Sequence, residues 1–219
     1  MEVVDLMFRV TGSKPIRVDH GYHLYAAITQ ILPRIHQEHT VGIHPIGGQQ
    51  IGHRLLELTN RSRLILRTDT AQIADLIQLS GKLLKVSGSS VRVGTPEVSV
   101  LSPSTEIRSR LVTTKNGQDQ ARFEKEVRRQ LDRLGVSEDA VPIIRRRADG
   151  TLIRRTVRIR GKEIVGYELL IEGLTAEESL NVQEKGIGGR RHMGCGVFVP
   201  FGGGRVNLAA HTSDQKVLS

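Results

Sequence analysis

Hydrophobic spacing along this chain changes period in the same order twice, and that pattern limits the folds open to it. Residues 3–10, VVDLMFRV, alternate as a starting strand does, and SKPIRVD follows as a loop. Leu24, Ala27, Ile28 and Ile31 then recur at helical spacing. Asp19 is placed to act as N-cap and Pro33 to end a helix over about 20–32. GIHPIG (42–47) reads as extended, with Pro45 suited to an edge or bulged strand. HRLLELT (53–59) and RLILRT (63–68) flank Asn60-Arg61-Ser62, the spacing of a hairpin. TAQIADLIQLSG is a short helix with Ile73, Leu76 and Ile77 inward, and KLLKVSGSSVRVG returns as extended chain.

Pro96 and the LSPSTEI stretch around Pro103 form a linker, after which the pattern restarts. RSRLVTTK (108–115) is a strand. Residues 119–134 form the clearest helix, with Phe123, Val127, Leu131 and Leu134 on one face and Glu124–Arg128 as an i,i+4 pair. TLIRRTVRIRG and KEIVGYELLIEG are extended runs joined by a tight Gly161-Lys162 turn. A helix over 175–184 opens on Thr175 with Glu178 at N3, a capping box, and GVFVP closes as a strand. The expected class is α+β: two tandem ferredoxin-like (RRM-like) units with antiparallel sheets, at 1–95 and 104–201, followed by a flexible tail at 202–219. The 219 residues suffice for two small cores.

Lys and Arg number 32 against 23 acids, a formal charge of +9. Residues 101–219 hold 21 basic and 15 acidic side chains, so +6 of the surplus lies there and a polyanionic partner should engage mainly that part. One cysteine, Cys195, excludes an intrachain disulfide and points to a reducing, cytoplasmic setting. No apolar run is long enough for a membrane helix, so no membrane partner is expected.

Two segments could meet phosphates. In GIGGRRHMGCG (186–196), glycines at 186, 188, 189, 194 and 196 clear side chains so that amides can approach a ligand, and Lys185, Arg190 and Arg191 add charge. The loop follows a helix and enters a strand and lacks Gly-Lys-Ser/Thr, so it is neither a dinucleotide nor an ATPase fingerprint. The alternative is a permissive connection with solvated arginines. The second segment is 145–160. In an extended run Arg154, Thr156, Arg158 and Arg160 share a face at about 6 to 7 Å per step, near a nucleic-acid phosphate repeat. A solvated strand face is the plainer account.

The early histidines carry the possible chemistry. No HExxH or acidic cluster accompanies them, and neither a metal nor any other cofactor is expected. An imidazole able to take a ribose 2′ proton fits the residues present. His20 lies about 40° from the apolar stripe of the first helix, held by packing at a helix N-terminus that favours the neutral ring. A buried structural histidine is the other reading of it. His44, beside Pro45, is the rival, His23 is turned outward, and Cys195 has no case as a nucleophile.

The closing GIGGRRHMGCGVFVP resembles the glycine-rich signature of the CRISPR repeat-processing endoribonucleases of the RAMP superfamily. DHGYHLYAAI, GIHPIGG and GLTAEESLNVQEKG are similar to its myxobacterial-type branch. The resemblance implies metal-independent cleavage of precursor RNA within repeats, with a 2′-hydroxyl attacking the adjacent phosphate to leave a 2′,3′-cyclic phosphate. It implies a histidine in or just after the first helix, often assisted by tyrosine, lysine or serine. Those places here are His20, Tyr22, His23, His36, His39 and His44, with His20, His44 and Tyr22 put forward as catalytic. RNA contacts are expected from Arg154, Arg158, Arg160, Lys185, Gly188, Gly189, Arg190 and Arg191. The implied partners are repeat RNA, its mature guide product and effector-complex subunits. A lysine just after the first helix is absent, since none lies between Lys14 and Lys82. A noncatalytic RNA-binding scaffold subunit of an effector complex would share the loop but has no need of the histidines.

Overall fold

The computed structural model describes residues 2–36, 41–115 and 117–202. The proposed tail at 202–219 lies outside the described residues apart from Gly202, as does His39. The first half contains β1 (Val3–Thr11), β2 (Ile16–Arg17), α1 (Gly21–Ile31), β3 (Gly42–Ile43), β4 (Gln49–Gln50), β5 (Leu55–Glu57), β6 (Arg63–Asp69), α2 (Ile73–Leu76), β7 (Leu83–Val86) and β8 (Ser89–Val100). The second contains β9 (Ile107–Val112), α3 (Gln120–Arg133), β10 (Val141–Ile144), β11 (Arg154–Ile159), β12 (Lys162–Glu172), α4 (Ala176–Lys185) and β13 (Val199–Pro200).

Two larger antiparallel sheets result, in the orders β3-β6-β1-β8-β7 and β10-β12-β9-β13, with β11 added to β12. Alternation in β1 buries Val4, Leu6, Phe8 and Val10, and the last three join a core under α1, where Leu24 and Ile28 are fully buried. The second sheet packs Val112, Tyr167, Leu169 and Ile171 against Phe123, Val127 and Leu131 of α3 and Val182 of α4. This is an α+β fold with antiparallel sheets, consistent with ferredoxin-like units.

The expected helices stand at the expected places, though the second is α-helical only over Ile73–Leu76 between 3₁₀ turns and leaves Ile77 exposed while Leu76 and Leu79 turn inward. The capping box of Thr175 and Glu178 is formed at both bonds. Several local expectations are overturned. Residues 53–59 and 63–68 do not form a hairpin: β6 joins β1 and β3, while β5 pairs with β2 and β4 in a separate three-stranded sheet. The Asn60-Arg61-Ser62 spacing permitted a hairpin, but β1 offers β6 a buried seven-residue ladder from Val3–Asp69 to Arg9–Arg63. Pro96 is inside β8, opposite Phe8, rather than in a linker. It tolerates that place because β7 pairs only with Ser89–Arg92, so the missing N–H falls on an unpaired edge. The N-cap of α1 is His20 instead of Asp19, whose Oδ2 accepts the Arg158 N–H. Arg160 and Gly161, at φ 47° and 81°, make the β11–β12 turn, one residue before the expected Gly161-Lys162. Arg128 pairs with Asp132 and Glu124 accepts from Gln120, which replaces the expected Glu124–Arg128 pair.

Candidate active site and RNA interface

The glycine-rich loop folds back onto the first half. A Cβ on Gly21, at the start of α1, would lie 2.2 Å from the Met193 carbonyl oxygen, so only glycine lets helix and loop approach this closely. Contact there sets loop residue His192 against α1. The Tyr25 ring stacks on the His192 ring at 4.7 Å between centroids and 29° between planes. On its other side the Tyr25 hydroxyl lies 2.6 Å from Nδ1 of His36, in the 3₁₀ turn Pro33–His36 that follows α1. Tyr25 is buried and His36 exposed, so the phenol fixes an imidazole that faces solvent. Burial raises the Tyr25 pKa, which keeps the hydroxyl protonated at neutral pH.

The structure separates the candidate histidines by environment. His20 is 1% exposed, donates Nδ1–H to the Arg17 carbonyl at 2.7 Å and accepts the Ile46 N–H at Nε2 at 2.9 Å. Both nitrogens are committed, and burial pulls its pKa down to about 4, against a smaller opposing effect of the Arg17 carbonyl. His44 is buried with Nε2 3.6 Å from Asp5, and its pKa is lowered by burial. The Tyr22 ring meets exposed His23 edge-on at 5.8 Å. Cys195 is buried, its thiol pushed up to about 12 by burial, which makes it inert.

The loop's glycine amides face inward. Gly188 N–H donates to Gln130 Oε1 at 2.7 Å, Gly189 N–H to Thr113 O at 3.0 Å, and Gly196 N–H to Leu111 O at 2.7 Å. Charge on the loop's outer side therefore comes from exposed Lys185 and half-buried Arg190. In Arg191, Nε and Nη2 are buried without a hydrogen-bond partner, and burial followed by the neighbouring Arg67 lowers its pKa to about 10.

On β11, Arg154 donates to the Gln118 carbonyl and lies over the Tyr167 ring, Arg158 pairs with Glu163 where both are exposed, and Arg160 sits in the turn. The opposite face carries Arg155, bonded to buried Glu168 at 2.7 Å, with Arg108 and Arg145 reaching the same carboxylate at 3.6 and 3.8 Å. A cavity of about 330 Å³ opens between the halves, lined by Arg54, Arg110, Arg147, Arg154 and Arg155 with Asp19 as its one acid.

Sequence reasoning missed the Tyr25–His192 contact, because the two residues are 167 positions apart, and read Tyr25 only as part of the helix. The i,i+11 relation of Tyr25 and His36 depends on Pro33 ending α1 and the tight turn after it. Among the described residues no group of three or more His, Cys, Asp or Glu side chains is placed to hold a metal. Nor is any helix among them long and apolar enough to cross a membrane.

The family model described as Cas6 Crispr matches residues 4–203. A CRISPR-associated endonuclease Cas6 of Myxococcus xanthus (strain DK1622) is 39% identical over 202 residues, covering 92% of this chain and 83% of that protein. Among solved structures, a CRISPR associated protein Cas6 superposes at a TM-score of 0.65 and 12% identity, covering 92% of this chain and all of that one. The structure of an RAMP protein binding different RNA substrates reaches a TM-score of 0.64 at 15% identity, with the same coverage. At such identities the structural likeness speaks for the fold, whereas the family match spans nearly all of the sequence. The chain belongs to the Cas6 family.

Proposed function

We propose that this chain is a metal-independent endoribonuclease that cuts CRISPR precursor RNA within its repeats and acts in the cytoplasm. Its two tandem ferredoxin-like units, 1–95 and 104–201, are part of that reading, as is a place in the myxobacterial-type branch, supported by the 39% identity to the Myxococcus protein. Repeat RNA is its substrate, guide RNA its product, and effector-complex subunits its further partners.

The observation that carries the reading is the Tyr25–His36 hydrogen bond of 2.6 Å, with Tyr25 stacked on His192 of the glycine-rich loop. With Nδ1–H donating to the phenol oxygen, His36 Nε2 presents a lone pair to solvent and takes the proton of a ribose 2′-hydroxyl. The freed 2′ oxygen forms a bond to the adjacent phosphorus as the P–O5′ bond breaks. A 2′,3′-cyclic phosphate remains on one fragment, and the other leaves with a 5′-hydroxyl once it gains a proton. Lys185 and Arg190 supply positive charge to the phosphorane. His20, buried with both ring nitrogens hydrogen-bonded within the protein, and His44, buried beside Asp5, serve the fold rather than the chemistry. Arg154, Arg158 and Arg160 track the RNA backbone, while Gly188 and Gly189 keep the loop low enough for RNA to pass.

Cleavage of repeat RNA in EDTA, with fragment ends identified by mass spectrometry, tests this. His36→Ala and Tyr25→Phe should slow single-turnover cleavage, the first by about 10² to 10⁴, with repeat affinity nearly intact. Wild-type rates in His36→Ala would end its assignment. Binding of repeat RNA by the wild type without any cutting would favour the scaffold subunit instead.

A further inference from the structure

The small sheet of β2, β5 and β4 carries a turn in a conformation that its residues disfavour. Gly52, His53 and Arg54 have φ of 94°, 43° and 58°. His53 and Arg54 are the central pair of a turn closed by Leu55 N–H to Gly52 O at 2.8 Å. A two-residue turn with both φ positive suits Asn-Gly, whereas residues such as His and Arg resist it because their Cβ crowds the backbone carbonyl. Relaxation is blocked from outside: Val18 N–H donates to the Arg54 carbonyl at 2.9 Å, and β5 is paired on both edges. Strain that persists only because its surroundings over-determine it is a pointer to function.

What the turn presents is Arg54. Arg54 lines two adjoining cavities, of about 330 and 280 Å³, on the seam between the halves. Arg110, Arg147 and Arg155 share the first with it, and His23, His53 and Arg158 the second. The nearby acids are already used: Asp19 by the Arg158 N–H, Glu163 by the Arg158 guanidinium, and Glu168 by Arg155. Among the described residues Arg54 has no side-chain hydrogen bond or ion pair. The seam thus holds a surplus of cations at the place where the chain accepts backbone strain.

We propose that the His53–Arg54 turn is an RNA grip, strained so that Arg54 stands between the two cavities and takes a phosphodiester group there. The proposal rests on the RNA-binding reading above. It adds to it that the three-stranded sheet exists to hold one arginine, and that this arginine acts on backbone charge rather than base identity.

The diagnostic variant is His53→Asn/Arg54→Gly, which fills the turn with its preferred residues. It should raise Tm by about 2–4 °C. It should also weaken binding of repeat and scrambled RNA alike, by about tenfold, and lower the salt slope by roughly 0.7 to 1. Arg54→Lys, which keeps both charge and strain, should retain most of the affinity without the gain in Tm. A higher Tm with unchanged affinity would overturn the grip and leave an idle strained turn, and a lower Tm would overturn the strain on which the argument stands. A wild-type chain that binds no RNA would overturn this proposal and the RNA reading together, an outcome distinct from normal binding that the variant leaves untouched.

Discussion

Arg67 lays its guanidinium across both carboxylate oxygens of Asp5, Nε to Oδ1 and Nη2 to Oδ2, each at 2.8 Å. Its remaining nitrogen, Nη1, donates to the carbonyls of Gln183 and Phe198, which lie on either side of the glycine-rich loop. Gln183 is in the last turn of α4, where carbonyls lack helical partners and a cation is favoured. One buried side chain of the first sheet therefore ties down both ends of the loop in the second half.

Removing one partner of that pair should cost more than removing both. Arg67→Met strands a half-buried carboxylate that Arg67 and His44 now hold below the usual range despite its partial burial, and leaves the Gln183 and Phe198 carbonyls without their donor, so it should destabilise the chain by about 2–4 kcal/mol. Asp5→Leu/Arg67→Met should recover the carboxylate's share of that loss. Chemical denaturation of the three proteins measures it. Equal stability of the single and double variants would show that the charge pair is not what the fold depends on.

Two glycines of the loop, Gly189 and Gly196, should respond in opposite ways. A Cβ on Gly189 meets nothing within 4 Å, so Gly189→Val should keep its Tm and lose RNA affinity if RNA passes over that surface. Gly196 has φ 66°, and a Cβ there would lie 2.1 Å from the Ile187 carbonyl oxygen, so Gly196→Ala should fold poorly. Thermal melts beside filter binding separate the two. Unchanged affinity in folded Gly189→Val would leave the loop as a connection only.

His20 should make stability fall with acid. Its folded pKa, about 4, is below the 6.5 of an unperturbed ring, so the unfolded chain binds the extra proton first. The stabilisation is fully present above pH 6.5 and is lost as pH falls toward 4, by on the order of 3 kcal/mol. His44 is shifted in the same direction by its own burial. Stability measured between pH 7 and 5 should decline less steeply in His20→Ala, which should also be about 2–4 kcal/mol less stable at pH 7 because Arg17 O and Ile46 N–H lose their partner. Identical slopes would contradict the burial of a neutral ring.

Arg158→Ala should leave Tm almost unchanged, since its pairing with Glu163 is exposed and its backbone N–H still reaches Asp19. If the β11 arginines follow the RNA backbone, affinity for cognate and scrambled RNA should drop together and the salt slope by roughly 0.7 to 1. A loss limited to the cognate repeat would mean base reading instead.

Regular spacing made much of the fold legible. The alternation of Val4, Leu6, Phe8 and Val10, the stripe Phe123–Val127–Leu131 and the Thr175–Glu178 box are local patterns, and local backbone geometry suffices to express them. The early histidines could be found by eye, but not sorted. His20, His36 and His44 differ in which atoms of distant segments reach their rings: Ile46 N–H and Arg17 O for the first, Tyr25 for the second, Asp5 for the third.

The sequence by itself determined the alternation of periods, the excess of basic charge in the second half and the glycine-dense loop at 186–196. Only the tertiary structure decided that β6 leaves β5 to pair with β1, because a long buried ladder outweighs a short hairpin's proximity. It also decided that the loop's glycine amides turn inward and that its His192 comes to rest on Tyr25. Both follow from contacts between segments more than 50 residues apart, whose partners are chosen by packing and by the satisfaction of buried polar groups, neither of which is written in any local stretch of sequence.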